Sequence, residues 1–118
     1  YQVCDVIDAM QEDSQIQLKA LKVDGAASNN GFLMQFQSDM LGKSVYRSNS
    51  VESTARGAAY LAGFAVGFWN SDKETLQNAQ EYVVFEPKML EEERNRKKRG
   101  WNRAVKYSYG WAKECEED

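Results

Sequence analysis

The sequence predicts an α/β fold in which helices pack on a small sheet. A short apolar strand pattern at residues 18–23 is followed by an Asp-Gly turn and then by apolar residues at helical spacing over residues 30–41. Two further short segments, Ser44–Arg47 and residues 81–86, are rich in β-branched and aromatic residues and alternate with helical patterns. Strands that alternate with helices in this way are typical of an α/β domain.

The composition fits a single packed domain over residues 1–118. Hydrophobic residues make up 42% of the chain and there is only one proline, as in a globular body rather than a disordered segment. The net charge of −3 argues against a general nucleic-acid binder. The longest apolar stretch, residues 58–69, is too short to cross a bilayer and is interrupted by glycines. We therefore expect neither a nucleic acid nor a membrane as a partner.

The cysteines and the first residues indicate a cytoplasmic fragment. Cys4 and Cys115 lie near opposite ends, match no metal-ligand spacing and have no histidine to complete a site. We expect two free thiols, no metal site and a cytoplasmic location. The chain begins at Tyr1 without a methionine and leads directly into a helical pattern, so we expect it to be part of a longer polypeptide. A processed or engineered terminus is the alternative.

The first predicted element is an amphipathic helix over residues 1–13. Its apolar residues, Val3, Val6, Ile7 and Met10, recur at helical spacing, whereas the acidic residues lie off that face. We expect this apolar face to pack against the rest of the domain.

The next segment predicts a strand at 18–23, a turn at 24–29 and a helix at 30–41 that ends at Gly42. Three successive side chains offer an oxygen that can cap the helix: Ser28, Asn29 and Asn30. Amides at a helix start carry partial positive charge, so that a phosphate or a ribose fits there. An ordinary strand-to-helix turn is the alternative, because neither a GxGxxG pattern nor a Walker-type lysine is present.

The middle of the chain predicts a helix of small residues. Residues 55–69 read ARGAAYLAGFAVGFW, and the alanines and glycines allow another element to lie close to the helix backbone. Two interpretations stay open: a buried helix that crosses its neighbour tightly, and a helix that contacts a ligand directly. A further short helix is predicted from Lys73, after Asn70-Ser71-Asp72.

The C-terminal part predicts a charged helical extension over residues 88–118. Pro87 closes the strand at 81–86, and Gly100 and Gly110 are expected to interrupt the extension. The glutamates Glu91–Glu93 precede five basic residues, an order that suits the helix dipole. The basic residues are Arg94, Arg96, Lys97, Lys98 and Arg99. A phosphate-backbone patch is one interpretation, but the adjacent glutamates favour a solvated face or a partner surface.

Several motifs together resemble a known family. VDGAASNNGFLMQFQSDMLG followed by ESTARGAAYLAGFAVGFW is similar to the C-terminal half of the FGGY carbohydrate kinases. YQVCDVIDAM at the start, and FEPKM, ERN and GW near the end, extend the resemblance from Tyr1 to Trp111. The resemblance implies the C-terminal lobe of an actin-like ATPase (ribonuclease H-like) fold, in which two lobes close on ATP and glycerol.

The resemblance also implies which residues contact the nucleotide. The family contacts the adenine nucleotide at two positions four residues apart, which here are Ala26 and Asn30; together with Gly25 they are the expected ATP-binding residues. Asp24 is expected to hold the turn rather than to act as a general base. The family usually has Asp-Gly-Gly where this chain has Asp24-Gly25-Ala26. Alanine strains the turn if residue 26 needs a positive φ. It can replace glycine without strain if the nucleotide contacts only the backbone amide of residue 26.

The implied cofactors are ATP and Mg²⁺, and the implied partner is the N-terminal lobe of the same kinase. The glycerol pocket, the base and most Mg²⁺ contacts lie in parts of the family fold outside this chain, so we expect no catalytic residue here. The complete protein is expected to form a homo-oligomer. In some bacterial members the segment corresponding to Pro87–Arg96 contacts a sugar-transport regulatory protein, with a glutamate at the position of Glu93 sharing an intermolecular zinc.

Two hypotheses about function follow. The first is the adenine-nucleotide-binding portion of an ATP-dependent kinase that converts glycerol to glycerol 3-phosphate, inactive as a fragment. The second is a non-catalytic scaffold or oligomerisation module that retains a kinase-like subdomain.

Overall fold

The computed structural model describes residues 1–49, 53–69 and 82–110. Four α-helices, three strands and one short 3₁₀ helix alternate in this part of the chain. In chain order they are α1 (Gln2–Ser14), β1 (Ala20–Val23), the 3₁₀ helix η1 (Ala26–Asn29), α2 (Gly31–Leu41), β2 (Ser44–Ser48), α3 (Ser53–Ala65), β3 (Tyr82–Phe85) and α4 (Glu91–Tyr107). None of these described helices is both long and apolar enough to span a bilayer.

The three strands form one mixed sheet in the order β1-β2-β3. β1 runs parallel to β2, and β2 runs antiparallel to β3. Leu21, Val45 and Phe85 are paired in register across the sheet, so their side chains lie on the same face. Helix α2 joins β1 to β2 and packs against that face, where Val45 is completely buried. The predicted combination of helices on a small sheet is confirmed.

Helix α2 has a defined cap at each end. The Asn30 side chain accepts a hydrogen bond from the backbone N–H of Leu33 at 3.0 Å. At the other end Gly42 adopts a left-handed conformation with φ 65° and donates its N–H to Ser38 O at 2.8 Å. Asparagine at the start and glycine just past the end are the residues that such helix termini favour. The predicted helix over residues 30–41 is therefore confirmed with its caps.

The last turn of α2 fixes the start of α4. The Asp39 carboxylate accepts hydrogen bonds from the backbone N–H groups of Lys88 at 2.6 Å and Met89 at 3.1 Å. The Arg94 side chain returns to α2 by donating to Asp39 O at 2.6 Å. A side chain at Gly42 would overlap the Arg94 guanidinium, so this glycine serves both the helix end and the approach of α4.

Helix α1 packs through a different face from the one predicted. Val3, Val6 and Met10 are 42%, 58% and 59% exposed, whereas Cys4 is buried. The fourth residue of the predicted face, Ile7, is half-buried, so the prediction was wrong for Val3, Val6 and Met10. Helix α1 instead meets α4 through polar and aromatic groups. Trp101 donates to the Asp5 carboxylate at 2.7 Å and its ring stacks on Tyr1.

The thiol of Cys4 is buried and, in the described part of the chain, forms no disulfide. Its burial raises the pKa of the thiol, an effect that nearby Lys98 partly opposes. A raised pKa favours the protonated thiol, as is typical of a buried cysteine that packs in the interior. Cys115 lies outside the described residues.

Some predicted boundaries differ from the structure. The strand begins at Ala20 rather than at residue 18, because the N–H of Leu18 donates to the Gln11 side chain at 2.6 Å. Helix α4 runs through Gly100, so the predicted interruption there was wrong; one glycine costs a helix only about 1 kcal/mol. Gly110 does lie beyond the helix end, at φ 88°. The helix predicted from Lys73 falls outside the described residues.

Helix α3 ends earlier than the sequence predicts, at Ala65 rather than at Trp69. The chain turns at Gly67, with φ 72°, and brings the Trp69 ring back against the helix. A side chain at Gly63 would overlap that ring, and Tyr60 and Phe64 contact it edge-on. Among the described residues, it is Trp69 that lies close to the backbone of this helix, at Gly63.

Candidate functional site

The predicted nucleotide contacts lie together between β1 and α2. The chain leaves β1 at Val23, passes Asp24 and Gly25, forms η1 and enters α2 after Asn30. Gly25 has φ 84° and ψ 169°, a region that residues with a Cβ seldom adopt. A Cβ at Gly25 would contact nothing within 4 Å. Glycine is needed there for its backbone conformation, and the space beside it is open to a ligand.

The substitution of alanine for the second glycine of the family pattern carries no left-handed strain. Within the described part of the chain, Gln15 is the only non-glycine residue with positive φ. Ala26 is therefore in a conformation that an ordinary residue adopts readily. Of the two possibilities that the sequence left open, strain at Ala26 is excluded and use of its backbone amide remains.

Ser28 closes the turn. Its hydroxyl donates to Gly25 O at 2.7 Å and its N–H donates to the same oxygen at 3.0 Å. Ser28 is only 2% exposed. In the described residues the Asp24 carboxylate accepts no hydrogen bond, whereas Ser28 makes two bonds within the turn. The sequence identified Ser28 only as one of three possible caps.

The Asn30 side chain caps α2 with one atom and leaves another available to a ligand. Its Oδ1 atom accepts the hydrogen bond from Leu33 that caps α2, which leaves the Nδ2 group of the exposed amide to meet a ligand. A hydrogen-bond donor at a helix start complements an acceptor atom on adenine or ribose. The same start also favours a negatively charged group through the helix dipole.

Arg47 reaches the turn from the neighbouring strand. Its Nη1 atom donates to Ser28 O at 3.3 Å, and its guanidinium lies 5.6 Å from the ring centre of Phe85. Sequence reasoning did not identify Arg47. One signal was available: in parallel strands the carboxyl ends meet at the same edge of the sheet, so the last residues of β2 had to lie beside the turn that follows β1.

Glu93 lies on a different element, the first turn of α4, and pairs with Lys97 at 3.5 Å. Its side chain is 43% exposed. Among residues 1–49, 53–69 and 82–110, no group of three or more His, Cys, Asp or Glu side chains is arranged to hold a metal ion. The predicted contact of Glu93 with a regulatory protein stays a prediction.

The basic run does not form one open patch. Three of its five side chains are engaged: Lys98 bonds the Asp8 carboxylate of α1 at 3.1 Å, Arg94 bonds α2, and Lys97 pairs with Glu93 within its own helix. Cations engaged in this way contribute less to binding a phosphate backbone. The geometry favours the interpretation of this run as a structural and solvated helix face.

The mixed sheet and its strand-turn-helix unit define an α/β domain. Its match to a solved kinase structure assigns this domain to the actin-like ATPase class. Residues 1–66 match the C-terminal domain of the FGGY family of carbohydrate kinases, and the chain belongs to this family.

Two relatives and one solved structure illustrate the likeness. The glycerol kinase of Caldanaerobacter subterraneus subsp. tengcongensis is 58% identical over 114 residues, which is 97% of this chain. The glycerol kinase of Aliivibrio fischeri strain MJ11 is 57% identical over all 118 residues. The chain spans only 23% of the length of each. The crystal structure of Plasmodium falciparum glycerol kinase with ADP matches at a TM-score of 0.78 and 33% identity, over 92% of this chain and 22% of that one.

Proposed function

We propose that this chain is the adenine-nucleotide-binding portion of an ATP-dependent glycerol kinase. The observation that carries the proposal is the turn from Gly25 to Asn30, which joins an open glycine backbone to a capped helix start with a free amide donor. The likeness to a glycerol kinase solved with ADP supports the same assignment. Gly25, Ala26 and Asn30 are the proposed contacts to the adenosine side of ATP.

The proposed role of each residue follows from its geometry. Gly25 provides a backbone without a side chain at the place where the ligand approaches. Ala26 offers its backbone amide, and Asn30 donates from Nδ2 while its Oδ1 atom caps α2. A donor and an open backbone suit the ring edge or ribose of a nucleotide, whose phosphates and Mg²⁺ would be held mainly by the rest of the kinase.

The chemistry of phosphoryl transfer requires more than this chain offers. The transfer needs a cradle for the phosphates, Mg²⁺ and a base for the attacking hydroxyl, and no catalytic residue is assigned to the described residues. We therefore expect the remaining polypeptide, including the N-terminal lobe, to supply these groups. A cytoplasmic location, a homo-oligomer and a regulatory contact at Glu93 belong to the same proposal for the complete protein.

A chimaeric kinase tests the proposal. In it, the stretch of the Aliivibrio fischeri enzyme that matches this chain is replaced by residues 1–118, which are 57% identical to it. We expect the chimaeric kinase to bind ATP and to phosphorylate glycerol at a rate within about tenfold of the parent enzyme, or 1.4 kcal/mol in activation free energy. The measurement is ADP formation that depends on glycerol, followed in a coupled assay.

The isolated chain provides the control. We expect purified residues 1–118 to phosphorylate no glycerol under the same conditions, because the base and the phosphate cradle are expected in the rest of the kinase. Activity of the isolated chain would contradict this assignment of roles. A chimaeric kinase that folds but binds no ATP would instead favour the alternative function, a non-catalytic scaffold or oligomerisation module.

A further inference from the structure

We infer that Arg47 is a positioning residue for the nucleotide turn, acting through the carbonyl of Ser28. The inference rests on the proposed function, because it concerns how the turn from Gly25 to Asn30 is kept ready for its ligand. Arg47 is assigned no contact with the nucleotide itself.

The sheet register places Arg47 under the turn. Arg47 is paired with Val23, the last residue of β1, so the two strands end side by side. Side chains alternate along a strand, and Arg47 therefore lies on the same face as Val45, the face covered by α2. Its guanidinium carbon lies 5.6 Å from the ring centre of Phe85 on β3. Because the Arg47 side chain is half-buried and lies beside this ring, we expect few other rotamers to be accessible to it.

The Ser28 carbonyl is an effective point of attachment. Ser28 lies in η1 and already binds Gly25 O through both its hydroxyl and its N–H. A third bond, from Arg47 Nη1 to Ser28 O at 3.3 Å, joins this closed turn to β2. The chain then needs only two more residues to reach Asn30, whose N–H bonds Ala27 O at 3.2 Å. The bond to Ser28 therefore restrains the turn on both sides of Ser28, from Gly25 to Asn30.

Loss of this attachment is expected to weaken nucleotide binding without slowing the chemistry. A loosened turn must be ordered again each time the nucleotide binds, and that ordering lowers affinity. The reacting phosphate and hydroxyl are remote from this bond in the proposed arrangement, so kcat is expected to stay nearly constant. An arginine that bound the phosphates directly would behave differently, since its loss would affect phosphorylated ligands more than adenosine.

The test compares Arg47→Met with Arg47→Lys in the chimaeric kinase. For Arg47→Met we expect KM for ATP to rise about 5- to 10-fold, which corresponds to one hydrogen bond, with kcat and the KM for glycerol nearly unchanged. ADP and adenosine, used as competitors, are expected to lose affinity by the same factor. Arg47→Lys keeps a donor on a long stem and should recover part of the loss. Lys22→Met is the matched control, because Lys22 lies on the neighbouring strand and bonds Tyr82 on the opposite face.

Amide hydrogen exchange without nucleotide separates this inference from the proposed function. Arg47→Met should accelerate exchange at Ser28 and Asn30, whose N–H groups close the turn, while exchange in α4 stays unchanged. An unchanged KM and unchanged exchange in a folded Arg47→Met variant would overturn the inference, as would a loss confined to ADP and ATP. If the unsubstituted chimaeric kinase bound no nucleotide, the proposed function would fail directly, before any variant was compared.

Discussion

Asn30→Leu in the chimaeric kinase is expected to raise the dissociation constant of ATP by about 10- to 100-fold, or 1.4–2.7 kcal/mol. Leucine removes the Nδ2 donor offered to the ligand and places an apolar side chain where the amide lay. It also removes the α2 cap, which is worth about 1 kcal/mol of stability. The measurement is a titration with ATP, with the melting temperature recorded for each variant.

Two further variants separate binding from capping. Asn30→Ser keeps an oxygen that caps α2 but lacks the amide donor, so we expect it to retain the melting temperature and still to lose much of the ATP affinity. Asn95→Leu makes the same chemical change at an exposed position on α4 and should leave binding unaltered. Wild-type affinity in a folded Asn30→Leu variant would contradict the proposed contact.

Gly25→Ala is expected to produce the second large effect. Gly25 has φ 84° and ψ 169°, and holding a residue with a Cβ in such a region costs about 1–3 kcal/mol. The turn relieves this strain by changing its backbone, which displaces Ala26 and the start of η1. We expect ATP affinity to fall by about 5- to 160-fold, the equivalent of that strain, measured by the same titration.

The reciprocal change, Ala26→Gly, is the matched control. It restores the glycine that the family usually has at this position, but Ala26 does not have a positive φ. We therefore expect ATP affinity to change by less than about threefold, with a small loss of stability from the greater freedom of the unfolded chain. Two results would contradict the proposed role of the turn backbone. One is a large gain in ATP affinity for Ala26→Gly, and the other is an unchanged ATP affinity for Gly25→Ala.

The strand-turn-helix unit was predictable because its signals are local. Gly25 follows a short apolar strand, Asn30 precedes the apolar residues of α2, and Gly42 ends the helix. Each of these residues favours the conformation that it adopts. The sequence did not decide which of three neighbouring side chains caps α2; the structure assigns the cap to Asn30 and the closure of the turn to Ser28.

Contacts between distant residues are not indicated by local sequence patterns; here only the parallel pairing of β1 and β2 could have indicated that the end of β2 lies beside the turn. Arg47 lies 19 residues from Ser28, and nothing in the local pattern around either residue indicates that they meet. The prediction that the apolar face of α1 is buried was wrong for a related reason. Helical periodicity identifies an apolar face, but it does not identify the element that covers this face. Val3, Val6 and Met10 are exposed in a chain that spans about a quarter of its relatives' length.

The central claim is that the turn from Gly25 to Asn30 forms the adenosine side of the ATP site. A crystal structure of the chimaeric kinase with ADP tests it most directly. We expect the adenosine to lie beside Gly25 and Ala26, with an acceptor atom of the adenine or ribose within hydrogen-bond distance of Asn30 Nδ2. ADP bound in the enzyme with its adenosine away from this turn would contradict the account.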